Sequence, residues 1–263
     1  MRMQMQAGTW EGSAPDQSEI IRANGGRKEG HTAAHSPAAT GQPTSDSLFQ
    51  LIYRDYRRYC AAGAKNPFSV ILFTQGFWAS AVFRFSHWAR KRLDFPGLRL
   101  IARALCILFQ KFIEVFTGIS IPAKCNIGAG FYIGHFGGIF IDGDCRLGSN
   151  CNIAQGVTIG KGGRGDLWGI PAFGDRVHIG ANAVLLGNIT IGDDAVIGPG
   201  AVVMSSVPPR GVVMGNPARV IGADGSFEMV HYDHMEEDPA RKLSLEAALA
   251  GKKAPTSTSA KNG

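Results

Sequence analysis

From Ile121 onward, apolar residues recur every six positions. Ile121, Ile127, Ile133 and Ile139 form a first series. The phase then slips by two, and a second series runs Ile141, Leu147, Ile153 and Ile159. After a gap, a third takes in Phe173, Ile179, Leu185, Ile191, Ile197 and Val203. A helix repeats every 3.6 residues and a half-buried strand every 2, so neither accommodates a period of six. A parallel β-helix does: each hexapeptide makes one short strand and one corner, and three make a coil of about 18 residues. Glycine usually follows the anchor, as at Gly128, Gly134, Gly148, Gly160, Gly174, Gly180, Gly192 and Gly198. Corners need backbone angles that glycine adopts easily. Four residues after each anchor of the third series stands another small or β-branched residue: Val177, Ala183, Ile189, Ala195, Ala201 and Val207. Stacked anchors of this kind fill a narrow interior.

The interruptions of the period are as informative as the period. The two-residue slip near 139–141 has to be absorbed as a bulge, and it comes just after His135 in GFYIGHFGGIFI. Between Ile159 and Phe173, the run GKGGRGDLWGIPA breaks the hexapeptide rule. A glycine-rich excursion from a solenoid is typically a functional loop. His135 is the candidate catalytic base, because an imidazole titrates close to neutral pH.

The flanks read differently. Residues 1–45 are rich in Gly, Ala, Ser, Thr and Pro and are expected to form a disordered N-terminal tail. Residues 46–118 read as an α-helical segment, with a plausible cap at Ser47 and a turn at DFPG. The β-helix is expected over 119–222, and 223–263 is expected to be mostly disordered. The formal net charge of +6 is unevenly placed: residues 47–118 hold eleven Lys/Arg against three acids. Neither long apolar stretch there offers about 18 uninterrupted apolar residues. Packing against other helices and neighbouring subunits is the expected use, with peripheral membrane contact through 47–118 as the alternative. Basicity among apolar helices, without a recognised fold for it, argues against nucleic acid. Five cysteines without a CxxC pair and no apolar signal core at the N-terminus suggest reduced thiols and a cytoplasmic protein, with association at the inner face of the membrane as the alternative. No metal set is expected: Cys145 and Cys151 lack supporting ligands and read as core fillers.

GISIPAKCNIGAGFYIGHFGGIFI, NIAQGVTIGKGG, VHIGANAVLLGNITIGDDAVIGPGAVVMSSVPP and GVVMGNPARVIG together resemble the serine O-acetyltransferase branch of the hexapeptide-repeat acyltransferases. The resemblance spans about residues 47–222 and is dense from 119. It implies a mainly β fold, a left-handed parallel β-helix behind an α-helical N-terminal segment. It also implies acetyl-CoA as co-substrate, with no metal, and a homotrimer or dimer of trimers whose acyl-CoA lies between adjacent β-helices. His135 matches the catalytic histidine. Gly160, Gly162, Ala181 and Pro199 match positions where the pantetheine arm runs close to the backbone, and Lys161, Arg164 and Arg219 are candidates for the CoA phosphates.

Other positions depart from the serine enzymes. They carry an aspartate where Ser120 stands, another where Gly134 stands, and an arginine–histidine pair where Gly169 and Ile170 precede Pro171. An amino-acid carboxylate wants a cation or a fork of donors. Loss of that clamp points to a sugar or glycan hydroxyl in exopolysaccharide synthesis, where a second branch of the family works and which GFYIGHFGGIFI resembles more closely. Serine as acceptor and a non-catalytic trimeric scaffold are the alternatives. His178 reads as a surface residue at the end of a repeat.

Overall fold

A computed structural model describes residues 46–63, 67–92 and 96–253. The expected disorder of 1–45, the core of the DFPG turn and the last ten residues lie outside these. From residue 119 the chain winds through fifteen short strands in three sheets. The first sheet stacks β1 (Ile119–Ser120), β4 (Ile139–Ile141), β7 (Thr158–Gly160), β10 (Val184–Leu186) and β13 (Val202–Val203). The second stacks β2 (Asn126–Ile127), β5 (Arg146–Leu147), β8 (Ala172–Phe173) and β11 (Thr190–Ile191). The third stacks β3 (Tyr132–Ile133), β6 (Asn152–Ile153), β9 (His178–Ile179), β12 (Val196–Ile197), β14 (Val212–Met214) and β15 (Arg219–Gly222). Every pairing is parallel except the last, where β15 folds back antiparallel on β14 and ends the stack. This is a parallel β-helix of about five turns.

All fourteen period-six anchors are buried, and so are the six residues four positions after the third series. They stack in register: Ile133 on Ile153, Ile153 on Ile179, Ile179 on Ile197. Each side chain therefore packs between its copies one coil above and below, so a change of one methylene is felt in three coils. Cys125, Cys145 and Cys151 belong to the same interior and carry free thiols. Burial pushes the Cys125 and Cys151 thiols up to about 12, which leaves them inert fillers.

A solenoid has an open first coil whose backbone groups need partners. The helical segment supplies them. It comprises α1 (Leu48–Ala61), α2 (Pro67–Phe73), α3 (Gln75–Arg92) and α4 (Pro96–Thr117). Ser47 starts α1 with a capping box, its hydroxyl accepting from the Gln50 N–H while the Gln50 side chain accepts from Ser47 N–H. On α1, Asp55 accepts the Phe131 N–H at 2.8 Å and the Tyr59 hydroxyl accepts the Ile133 N–H at 3.2 Å, covering the edge strand β3. From α3, Arg84 donates to the carbonyls of Ile127 and Gly128, both at 2.6 Å. Arg84 and Asp55 also form a two-pronged ion pair at 2.8 and 3.0 Å, with both side chains buried. His87 Nδ1 meets Ala123 O at 3.0 Å, and Gln110 of α4 donates to Ile121 O at 3.0 Å. The close seat of α3 requires Gly76, where a Cβ would lie 2.6 Å from Ile133 O.

The opposite face of α4 leaves Leu100, Ile101, Leu105, Leu108, Phe112 and Phe116 exposed. No helix among the described residues is long and apolar enough to cross a membrane. The C-terminal segment departs from the expectation of a mostly disordered stretch from 223. Residues 223–253 pack back on the third sheet and end in α5 (Pro239–Lys253). Polar ties hold it. The Ser226 hydroxyl donates to Arg176 O at 2.6 Å, Arg241 donates to Val230 O and Phe227 O, and Val230 is fully buried. Ser226 and Arg176 lie 50 residues apart, and none of these ties recurs at a period.

Candidate active site

The two-residue slip sits at one corner. Ile133 pairs with Ile153, whereas Ile141 pairs with Ile159, so the turn from β3 to β4 carries two more residues than the turn from β6 to β7. Gly137 and Gly138 absorb the surplus at φ +99° and +66°, in the left-handed region. The bulge pushes His135 and Phe136 outward, and both are exposed. Beneath His135 opens a cavity of about 330 Å3.

One wall of that cavity is the outward face of the third sheet. Tyr132, Asn152 and His178 each precede an inward isoleucine and stack on successive coils. The other wall is Arg58 of α1 with Met229 and His231 of the C-terminal segment. Arg58 is 3% exposed. It donates to Asn152 Oδ1, to His231 O and, at 3.4 Å, to Asn150 O, and its Nε is buried without a partner. The centroids of the Tyr132 and Tyr232 rings each lie 5.9 Å from the guanidinium carbon, at the outer limit of a cation–π contact of about 6 Å. Among the described residues no carboxylate pairs with Arg58, and burial lowers its pKa to about 10. Asn152 is engaged at both ends, since its amide also donates to Met229 O at 2.9 Å.

His178 is not the surface residue expected from sequence. It is half-buried, it lines the cavity, and its Nδ1 is sealed from solvent with no hydrogen-bond partner. Burial lowers its pKa. The column had a sequence signal: the residue before an anchor faces outward, and His178 shares its sheet with Tyr132, three residues from His135. Arg58 had none, because it arrives from a helix without the period. Among the described residues none hydrogen-bonds the His135 imidazole. Ser120 lies in β1, where its hydroxyl bonds Glu114 instead.

The remaining predicted residues fall on two edges of the prism. Ala181 and Pro199 continue the His135 corner on later coils, as the Gly200 N–H bond to Ala181 O records. Arg219 follows near them, exposed in β15 beside Ala218, whose N–H bonds Val202 O. Gly160, Lys161, Gly162 and Arg164 lie at the far end of β7, where the loop closes through a Gly162–Gly169 bridge. Lys161 and Arg164 are exposed, and Lys161 lies 3.7 Å from Asp144. Within one chain these residues do not converge on His135. No group of three or more metal-ligating side chains occurs among the described residues.

Comparisons with known proteins agree with this architecture. The family Bacterial transferase hexapeptide (six repeats) matches residues 173–204, and Hexapeptide repeat of succinyl-transferase matches 138–162. A serine acetyltransferase of Mycobacterium tuberculosis is 40% identical over 60% of this chain and 66% of its own length. That of Bacillus subtilis is 34% identical over 73% of this chain and 86% of its own. This chain thus spans just under two thirds of the first relative. Among solved structures, Neisseria gonorrhoeae serine acetyltransferase in complex with serine matches at TM-score 0.56 and 30% identity, covering 66% of this chain and 69% of that one. Brucella abortus serine acetyltransferase in complex with coenzyme A matches at 0.57 and 29%, covering 68% and 67%. With its fold, its repeats and these relatives, the chain belongs to the hexapeptide-repeat acyltransferase family.

Proposed function

We propose that the protein transfers acetyl from acetyl-CoA to the hydroxyl of a small acceptor, serine or a close analogue. The observation that carries this reading is His135, raised on a bulged corner over a cavity of about 330 Å3. That volume is at the lower end of small-molecule sites, about 300–1,000 Å3, and suits a single small acceptor better than a polymer chain. The relatives named serine acetyltransferase support the choice of acceptor and move the reading away from the exopolysaccharide expected from sequence.

The chemistry follows from the imidazole. His135 takes the hydroxyl proton as the acceptor oxygen attacks the thioester carbonyl. The tetrahedral oxyanion collapses, the C–S bond breaks, and the same imidazole returns the proton to the departing thiolate. With no carboxylate bonded to His135, orientation comes from the corner backbone and the substrate. In a homotrimer, the His135 edge of one chain would face the Gly160–Arg164 edge of the next, which would give Lys161 and Arg164 access to CoA phosphates.

One observation keeps a sugar acceptor as the second reading. Among the described residues the cavity wall contains no carboxylate to meet an amino-acid ammonium. The exposed apolar face of α4 goes with that reading, since it would suit contact with a membrane carrying lipid-linked glycans. Free-thiol release from acetyl-CoA, with L-serine beside a panel of nucleotide sugars, separates the two. The expected result is turnover with serine that falls about 10²–10⁴-fold in His135→Ala. Turnover with sugars alone overturns the serine reading, and failure to bind acetyl-CoA overturns the enzyme.

A further inference from the structure

Among the side chains that line the cavity under His135, His178 has a buried polar atom that neither the fold nor the proposed chemistry uses. Along the outward column, Tyr132 packs on Tyr59 at 4.8 Å between ring centres and lies against Arg58. Asn152 spends its amide on Arg58 and Met229. His178 has no such commitment. A buried polar atom without a partner costs free energy and calls for an explanation.

The sealed Nδ1 restricts what the ring can be. A proton on Nδ1 would be a buried donor with nothing to receive it, and an imidazolium would bury one on Nδ1 as well as a charge. The least costly form is the neutral ring with its proton on Nε2. That edge is the one left to face the cavity. His178 thus offers a single fixed donor, and on the other wall of the same cavity Arg58 holds a buried positive charge with no paired carboxylate among the described residues. A donor that shares a cavity with a buried cation is what a carboxylate seeks.

We propose that His178 binds the acceptor, its Nε2–H donating to the acceptor's carboxylate while Arg58 supplies the neutralising field from α1. The wall thus takes over the task of the arginine–histidine pair missing at Gly169 and Ile170. This inference rests on the reading of the acceptor as serine or a close analogue. Arg58 contributes its charge from the other wall, where Asn152 Oδ1 helps to hold the guanidinium.

The test measures thiol release from acetyl-CoA by the wild type, His178→Leu and His178→Gln, with L-serine and with serinol, which lacks the carboxylate. Gln places an amide donor near the Nε2 position, whereas Leu keeps volume without a donor. His178→Leu is expected to raise the KM for L-serine at least tenfold and to leave the KM for acetyl-CoA within twofold. The preference for L-serine over serinol should shrink at least tenfold, and His178→Gln should recover most of it. An unchanged KM for L-serine, an equal loss on both acceptors, or no recovery by Gln overturns the proposal. If the wild type does not acetylate L-serine, the functional reading fails on its own. His178→Leu is then measured on the sugar that is turned over, glucuronic against neutral forms, and an unchanged preference overturns the inference there too.

Discussion

The β-helix is held by a repeated contact, and the helical segment by contacts that each occur once. The β-helix repeats one apolar contact coil after coil, so its stability is spread over many equivalent residues such as Ile153, Ile179 and Ile197. The helices and the C-terminal segment add, to apolar contacts such as Phe83 and Val230, polar ties that recur at no period: Asp55, Arg84, Arg58, Asn152 and Arg176. The candidate site lies on the boundary between the two. Its base comes from a solenoid corner and its buried cation from a helix. A chain can thus vary what the helices bring to the site without disturbing the repeat that builds the scaffold.

The contrast predicts an order of sensitivity. Removing one partner of the buried pair, as in Asp55→Ala, leaves Arg84 charged and buried and the Phe131 N–H without an acceptor. The expected loss is about 3–5 kcal/mol, read as a lower denaturation midpoint in urea, together with exposure of the helices to protease. Truncating one anchor, as in Ile191→Ala, is expected to cost about 2–5 kcal/mol, with the helices still protected. If Ile191→Ala frees the helices as readily as Asp55→Ala does, the two regions are not held separately.

The same contrast explains what could be read from the sequence. The anchors were legible because a period of six leaves fourteen chances to see one signal, and the slip at 139–141 located the bulge that raises His135. The single-copy ties were not legible. Arg58 meets His231 and Asn152 across 173 and 94 positions, and no local pattern marks such a partner. The C-terminal segment looked disordered for the same reason: it contributes few anchors, and it is ordered by Arg176, Arg241 and Ser226. His178 stood between these cases. Its position in the register was available, but whether its face met solvent depended on Arg58 and Met229, which no repeat could foretell.

Asn152→Ala probes the boundary itself. It removes the acceptor for Arg58 and the donor to Met229 O while leaving the solenoid interior intact. The expected cost is about 1–3 kcal/mol for the orphaned groups. The telling readout is hydrogen exchange, which should accelerate over residues 226–238 and remain slow in the inner strands. Faster exchange throughout the β-helix would mean that Asn152 supports the scaffold rather than the attachment.

The smallest expected effect is one of pH. Burial holds the His178 pKa below its ordinary value of about 6.5. Above that value His178 is neutral in both folded and unfolded chains and has no influence. As the pH falls through about 6.5, the unfolded chain binds a proton there that the folded chain refuses, so stability drops until the lower folded pKa is reached. His178→Leu removes this term, and its stability should decline less than that of the wild type between pH 7 and pH 5. His87, also lowered by burial, is present in both proteins and cancels in the difference. Arg58, His135, His231 and Tyr132, which share the cavity, are likewise retained. A steeper acid loss in the variant would mean that His178 gains a proton in the folded state, and with it the neutral donor assigned to the wall would fall.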